Sequence, residues 1–536
     1  NIFKLWQVDI MTATLFALLA AFVLYLGLMV LVGLCSAKGN NSASDFFLGG
    51  RKVGPWVTAL SAEASDSSAW LLMGLPGLCY LGGFKETFWT AIGLIVGTYL
   101  AWLFIAKPLR KCSIAFGDSI TIPEFFTNRF KDKSHVLSVI SVIFIVVFFT
   151  IYTASGFVAC AKLFGSVFGL NWNISLFIGF IIILSYTIMG GYRAVCTTDF
   201  IQGALIFVAF VISSVITIIS LGGIGNAVDQ VRDFSSRAMS GEFGKNMLVT
   251  FTANKTFSPM SAVSAFAWCL GYFGMPHIIV RFMGIRSNKE IKTARRVGIT
   301  WMIISYIGTF IIGTLGTAYL LNKGILLGAN PSEISLEGIK VLGSSETVFS
   351  ESMIRMYPAF IAGIFLCAIL AAAMSTADSQ LLSASSAIGQ DIFKGLIKKD
   401  ASEKTVLNVS RISVFAVAVV GLLLARNPNS SIFGLVILQR GGSGFEGGLL
   451  PSFTDQLVKS RHIVLLSMKY FGCTRTAFIF CGTPSGYSEK SEVFHPHFKR
   501  TATAAPTLMR QAAPSCAMVY SRSTGTPCCA QLSARA

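Results

Sequence analysis

Apolar runs of about 20 residues, the length that crosses a bilayer as a helix, recur from Met11 almost to residue 436. That feature restricts the fold severely. In hydrocarbon every backbone N–H and C=O must be bonded within the protein, so repeated long apolar runs mean a bundle of membrane helices. The chain is 53% hydrophobic and 13% charged, where a soluble domain carries about 25% charge. Its net charge of +18 is then read as Lys and Arg gathered in the loops on one side of the membrane, not as a nucleic-acid surface. Of the twelve cysteines, the seven before residue 436 are scattered singly and without metal-ligand spacing, which predicts small buried apolar residues.

The expected spans run in order. Met11–Ser36 is the first, and Val53–Leu81 the second after a polar loop at Ala37–Lys52. Glu86–Leu109, His135–Gly165, Asn173–Ile188 and Ile201–Leu221 follow. The seventh is Ala262–Gly284, the eighth Val297–Leu321, the ninth Pro358–Ile392 and the tenth Val406–Ala425, with an eleventh beginning at Ser431. Loops after spans one, three, seven and nine are basic, and those after six and eight are not. The positive-inside rule then puts the N-terminus outside and places Arg193 and Asp199 in an inward loop after span five. Residues 1–10 lack an initiator Met and are read as a non-native extension ahead of Met11.

Three spans carry residues a lipid-facing helix would not. Span two contains Thr58–Gly77, with Glu63 and Asp66 among Ser65, Ser67 and Ser68. A charge at membrane depth costs about 2.5–3.5 kcal/mol on insertion scales, so the pair marks a functional stretch. Span seven reads Trp268-Cys-Leu-Gly271-Tyr272-Phe-Gly274-Met-Pro276, rich in helix breakers. Span nine reads Ala372-Ala-Met-Ser375-Thr376-Ala-Asp378-Ser379-Gln380. Interrupted helices at matching positions of two halves point to the solute site of a secondary transporter. Their freed carbonyls, with the hydroxyls of Ser375 and Thr376, are hard oxygen donors without a carboxylate cluster, which suits sodium better than calcium or a transition metal. Ser375 and Thr376 also suit close helix packing, Trp268 and Tyr272 suit lipid-interface anchoring, and Asp378 suits a structural pair with a loop arginine.

These residues resemble the sodium:solute symporter family, and within it the branch that carries proline. The resemblance rests on Leu48-Gly-Gly-Arg51, Ala62-Glu-Ala-Ser-Asp66-Ser-Ser68-Ala-Trp70 through Gly77, and Phe149-Thr-Ile-Tyr152 through Gly156. It rests also on Gly190-Gly191 through Thr198-Asp199 to Gln202, Gly271-Tyr272-Phe-Gly274-Met-Pro276-His277, and Ala371-Ala-Ala-Met-Ser375-Thr376. It covers about Leu15 to Val436.

The resemblance implies an all-α polytopic fold of five helices and five inverted ones, with an extra N-terminal helix. It implies sodium coordination by Ala64, Asp66, Ser67, Ala372, Ser375 and Thr376, and a proline site at Ser68, Tyr152, Trp268, Tyr272 and Pro276. Arg51 and Asp199 fall at positions important for coupling. Ser67 departs from the Met expected there, which a backbone carbonyl ligand survives, and Glu63 replaces a small residue with no role implied. The implied activity is sodium-coupled proline import by alternating access, with Na⁺ as coupling ion and no other cofactor. The implied setting is the bacterial cytoplasmic membrane, with no nucleic acid and no obligatory protein partner. The alternatives are symport of another small solute and a ligand-binding membrane sensor. Enzyme action is disfavoured, because no nucleophile–base pairing or phosphate loop is present and both long polar loops lack His.

After Val436 the resemblance stops. The family continues roughly Ser-x-Ala-Trp-Ala-Gly-Phe-Gly, whereas this chain reads Ile437-Leu-Gln-Arg-Gly-Gly-Ser-Gly. Taking each codon's third base with the next two lets Ile437-Leu438 give Ser, Gln439-Arg440 give Ala, Arg440-Gly441 give Trp, and Gly441 to Gly444 give Gly-Phe-Gly. From Ile437 to Ala536 no apolar run reaches spanning length, and eleven Lys or Arg stand against four Asp or Glu. Residues 11–436 are therefore read as the transmembrane symporter domain, with its last helix incomplete, and 437–536 as a frameshifted, disordered tail. Sequencing the gene across the codons for Gly434 to Pro451 is expected to reveal the shift; an intact frame encoding the printed residues would refute it.

Overall fold

The computed structural model describes residues 2–37, 42–82, 84–239, 265–327, 340–342 and 344–428, with single positions at 262, 430, 432 and 435. The tail expected from Ile437 onward lies outside the described residues, as does most of the expected eleventh span. The chain divides at Cys481 into two compact units, and every described residue belongs to the first.

The elements follow from local signals. Helix α1 (Ile2–Ala37) is followed by a short α2 (Ala43–Leu48), where the sequence predicts only loop. Ser42 caps α2 by accepting the Asp45 N–H at 3.1 Å, and Gly49 ends it in the left-handed region at φ 62°. Span two is three pieces: α3 (Pro55–Ala69), a π-helical turn at Trp70–Gly74, and α4 (Leu75–Gly82). Pro55 sits in the first turn of α3, where its missing N–H costs nothing. Span three is α5 (Phe84–Phe104) and α6 (Ala106–Ala115). Thr121 caps α7 (Ile122–Phe130), and α8 (Val136–Phe168) is span four.

Spans five and six form one element, α9 (Trp172–Ser220), kinked where Gly191 adopts φ 62°, ψ −176°. This corrects the expected inward loop: Arg193 and Asp199 lie in helix, because the glycine absorbs the turn within a single residue. An amphipathic α10 (Ile224–Met239) follows. Span seven is a 3₁₀ segment, Ala267–Phe273, then a break at Gly274 and Met275, then α11 (Pro276–Gly284) with proline again in the first turn. Span eight is α12 (Ile291–Asn322). The polar stretch beyond it contains a parallel pair of three-residue strands, β1 (Ile325–Leu327) and β2 (Lys340–Leu342), and α13 (Val348–Met356). Span nine is α14 (Ala359–Ser386), continued by a π-helical Ala387–Ile397, and span ten is α15 (Glu403–Leu424).

Seven of the described helices are long and apolar enough to cross a membrane, and Trp172–Ser185 is a shorter apolar one. The surface is oily where a soluble protein's is polar: Phe16, Leu24, Phe104, Ile219, Ile412 and Leu423 are exposed. The interior holds the polar groups, with Glu63, Asp66, Asp199, Arg281 and Asp378 all buried. That inversion is the expected state of a multi-pass membrane protein. At the centre lies α14, packed on α1, α3, α8, α9 and α15. Its run Ala371-Ala372-Ala373 lets neighbouring backbones approach closely. Cys79, Cys160, Cys196, Cys269 and Cys367 are buried thiols.

One contact in this interior is tight enough to test. A Cβ at Gly298 of α12 would lie 2.6 Å from Glu63 Oε1 of α3. Gly298→Ala should therefore destabilise the protein by about 1–3 kcal/mol, as overpacking does. In a cycle with Glu63→Ala the coupling should be about 0.5–3 kcal/mol. Thermal unfolding of the detergent-solubilised variants measures it, and additive effects would show that the two side chains do not meet.

Candidate functional site

The break in span two sits at Ser68, whose backbone is at φ 43°, ψ 179°. A non-glycine residue held there costs of order 1–3 kcal/mol and persists only where its surroundings demand it. Ser68 partly compensates locally. Its Oγ accepts the Trp70 N–H at 3.2 Å, as an N-cap would for the half-helix that follows. The Ser67 hydroxyl donates to the Glu63 carbonyl at 2.6 Å, and the Ser67 carbonyl accepts the Trp70 N–H at the break.

Just before the break, α3 meets α14. The Ser375 hydroxyl donates to the Ala64 carbonyl at 2.9 Å and approaches the Ala372 carbonyl at 3.2 Å; the Thr376 hydroxyl reaches Ala64 O at 3.5 Å. Two carbonyls and two hydroxyls thus converge from chain positions some three hundred residues apart, all on buried residues. Four of the six residues expected to hold sodium, Ala64, Ala372, Ser375 and Thr376, form this cluster. Asp66 lies half a turn on. Its carboxylate accepts a hydrogen bond from Tyr272 in the 3₁₀ segment, and its carbonyl accepts from Tyr152 of α8 at 3.4 Å. Asp66 therefore joins the two broken helices to each other. Ser67 takes part through α3's own hydrogen bonds.

The residues expected to hold proline lie around the same breaks. Tyr152 and Tyr272 meet at Asp66. Trp268 packs on Trp70 with ring centroids 5.9 Å apart, and Trp70 also approaches Tyr306 of α12 at 6.4 Å. Ser68 supplies the bend itself. Pro276 lines a narrow cleft, with Phe47, Ile120, Tyr192, Arg281 and Leu382 among its walls. Its free volume is about 20 Å³, room for little more than one water. His277 presents its ring edge-on to Phe149 at 5.0 Å and to Tyr152 at 6.3 Å.

Beside this cluster is a buried ion pair. Asp199 Oδ2 accepts from Arg281 Nη2 at 3.1 Å, from Ser61 Oγ at 2.7 Å and from Ser65 Oγ at 3.2 Å. Arg281 also donates to Ser61 Oγ at 3.2 Å, to Ser65 Oγ at 3.0 Å, to the Ser379 hydroxyl and to the His277 carbonyl, and lies over the Tyr192 ring. A buried pair is stabilised when its remaining donors and acceptors are bonded; here hydroxyls from α3 and α14 bond Asp199 Oδ2 and the guanidinium, while Asp199 Oδ1 meets no hydrogen-bond partner among the described residues. Ser379 bonds Asp378 in turn at 3.2 Å. Arg281 was not among the expected site residues. Its signal was present, a lone arginine in the apolar run Ile278-Ile-Val-Arg-Phe-Met, the same anomaly that singled out Glu63 and Asp66.

Arg51 lies apart from the cluster, outside the bundle's polar centre. It pairs with Asp118 at 3.0 Å and donates to Ser113 Oγ, Met283 O and Ser119 O at 3.1, 2.9 and 2.9 Å. Glu63 faces away from Asp199. One oxygen accepts the Trp102 indole N–H at 3.2 Å, and the other meets no hydrogen-bond partner among the described residues. Trp102 packs in turn on Phe282 of α11 at 4.4 Å. No group of three or more His, Cys, Asp or Glu among the described residues has the arrangement of a multivalent-metal site.

Comparison with known proteins fits this geometry. A family model described as the sodium:solute symporter family matches residues 46–448. The sodium/proline symporter of Escherichia coli strain K12 is 40% identical over 437 residues, 82% of each chain. The high-affinity proline transporter PutP of Bacillus subtilis strain 168 is 40% identical over 434 residues, 80% of this chain and 86% of that one. The solved structure of a Na⁺-coupled sialic acid symporter, substrate-bound and outward-open, superposes with a TM-score of 0.64 at 21% identity over 87% of each chain, which shows a common fold. Paired broken helices, a polar centre at membrane depth and a family match across most of the helical region agree: the chain belongs to the sodium:solute symporter family.

Proposed function

We propose that this protein imports L-proline with sodium, by alternating access, across a bacterial cytoplasmic membrane, with its N-terminus outside. The observation that carries the reading is the meeting of Ala64 O with the Ser375 and Thr376 hydroxyls. A hydroxyl that donates to a neighbouring carbonyl can turn its lone pairs to a cation, and the carbonyl then serves the same cation. Sodium so bound would tie α3 to α14 beside the break at Ser68. Asp66 carries the effect onward, because its carboxylate is bonded to Tyr272 of the other broken helix. Ordering these breaks builds the aromatic walls and frees half-helix termini to receive a carboxylate. Coupling of this kind is reciprocal: proline tightens sodium by the factor that sodium tightens proline.

Proline as the solute rests on about 40% identity to the two proline carriers. It rests also on the Trp70, Trp268, Tyr152 and Tyr272 rings near the breaks, which suit a pyrrolidine ring better than an extended polar solute. The reading assigns no catalytic residue, no cofactor beyond the coupling ion and no protein partner.

Ser375→Ala and Thr376→Ala should each raise the sodium concentration for half-maximal proline binding by about tenfold, the loss of one hydrogen-bond-strength ligand. Equilibrium binding of labelled proline to the purified protein at varied sodium measures this; an unchanged sodium dependence would move the cation elsewhere. Trp268→Ala should weaken proline binding at saturating sodium while leaving the sodium dependence close to wild type. Competition by other small solutes identifies a different substrate if proline is not the preferred one.

The segment from Ile437 is proposed to be frameshifted and to leave the second repeat without its final helix. Sodium-driven proline uptake by the printed chain in vesicles should then be weak, and a frame-restored version should transport. Robust uptake by the printed chain would overturn this.

A further inference from the structure

Span two does not resume as a regular α-helix directly after its break, and the sequence holds a reason. Trp70–Gly74 is a π-helical turn in which the Leu75 N–H bonds Trp70 O, five residues back. In an α-helix that N–H would serve Leu71 O instead. Leu71 O cannot turn to the next donor along the chain, because that residue is Pro76, which has no N–H. Pro76 in a regular turn would also clash with Leu72 O, four residues back, so the regular turn is unfavourable here. What remains is Leu71 O, on a fully buried residue within a membrane span, without a backbone donor from Leu75 or from position 76. Such a carbonyl must be met by another part of the protein.

The donor comes from α12. The Thr309 hydroxyl lies 3.3 Å from Leu71 O and 3.1 Å from Ser305 O of its own helix. It has one proton for the two. Ser305 O also has the backbone donor that an α-helix gives it, the Thr309 N–H, so the hydroxyl matters more to Leu71 O. About one turn earlier on α12, the Tyr306 ring lies 6.4 Å from that of Trp70, and Trp70 in turn meets Trp268 of the 3₁₀ segment at 5.9 Å. About one turn later, Gly313 brings α12 against α4: a Cβ there would lie 2.7 Å from Cys79 Cβ and 3.0 Å from Pro76 Cα. Tyr306, Thr309 and Gly313 are thus successive contacts of α12 with the stretch from Trp70 to Cys79, and all three are buried.

We infer that Thr309 and Tyr306 are positioning residues of the solute site: they hold the π-helical turn, and through it they set where the Trp70 indole stands beside Trp268. The inference rests on the reading that the solute is received at the two breaks. Single π-helical turns recur at functional sites, where they re-aim side chains that a regular helix would place elsewhere. Thr309 acts on the chain after the break at Ser68, whereas Ala64 meets Ser375 and Thr376 before it. Solute recognition and sodium binding therefore have separate supports. A wall fixed by a hydroxyl from a neighbouring helix keeps one width, so the same two residues set the ring size that the site accepts.

Hydrogen–deuterium exchange on the full chain in lipid nanodiscs, without sodium or proline, reads the turn itself on peptides covering Trp70–Cys79. Thr309→Val keeps the shape and removes the hydroxyl. It should speed exchange there about tenfold while α14 peptides keep their wild-type rates, and Thr309→Ser should restore the protection. Binding of labelled proline to the same proteins reads the consequence. Thr309→Val and Tyr306→Ala should each weaken proline about tenfold at saturating sodium and reduce its preference over the homologue with a six-membered ring. The sodium concentration for half-maximal binding of tracer proline should stay close to wild type, and Thr309→Ser should bind as wild type does. Unchanged exchange in Thr309→Val would overturn the assignment, as would faster exchange beside unchanged proline affinity. Loss of α14 protection in Thr309→Val would overturn it too, since the hydroxyl would then support the fold at large. A wild-type protein that binds no proline would count against proline as the solute, and the exchange arm then decides for or against Thr309 by itself.

Discussion

The arrangement depends on one constraint: a helix can be broken inside a membrane only where protein groups take up the freed backbone. At Ser68 the chain breaks a helix with no glycine at the bend. The break is held by the Ser68 side chain, by Tyr152 on the Asp66 carbonyl and by Ser375 and Thr376 on the Ala64 carbonyl. Every one of those supports comes from a residue that also belongs to the candidate site. Fold and site are therefore one problem. The carbonyls that a cation would use are the carbonyls that need partners without it.

The same logic explains the crowd of polar groups around Arg281. A guanidinium at membrane depth is tolerable because Asp199 neutralises it and Ser61, Ser65, Ser379 and the His277 carbonyl use its remaining donors. These partners come from α3, α9, α11 and α14. The pair consequently joins α3 and α11 to α9 and α14. Glu63 sits on the other side of α3, against Trp102 and Gly298, and ties α3 to α5 and α12. The two acids that first marked the stretch thus face different neighbours: Asp66 looks toward the second broken helix, Glu63 toward the flanking ones.

Much of this was legible from residues alone. Apolar length gave the spans, with boundaries close to those observed for α8, α14 and α15. Glycine, proline and serine content located both broken helices, because these residues either free the backbone or cap it. Small residues and hydroxyls in span nine marked the partner of span two. Asp199 looked like a loop residue because Gly190-Gly191 reads as a turn, yet a single positive φ at Gly191 kinks the helix and lets it continue. Arg281 lies within the expected span seven and carries the same signal as Glu63 and Asp66, yet it is absent from the expected site residues; the fold shows its partners.

The sequence by itself determined the class, the breaks and the chemistry on offer, since hydropathy, helix breakers and ionisable groups at membrane depth are properties of local composition. Tertiary structure decided the pairings. That Ala64 meets Ser375, that Asp66 bonds Tyr272, that Asp199 holds Arg281 and that Val53 pairs with Ile285 are contacts across about 80 to more than 300 residues of chain. No local signal encodes such partners. They exist because a polar group buried in a membrane protein must find another, and packing alone determines which one is within reach.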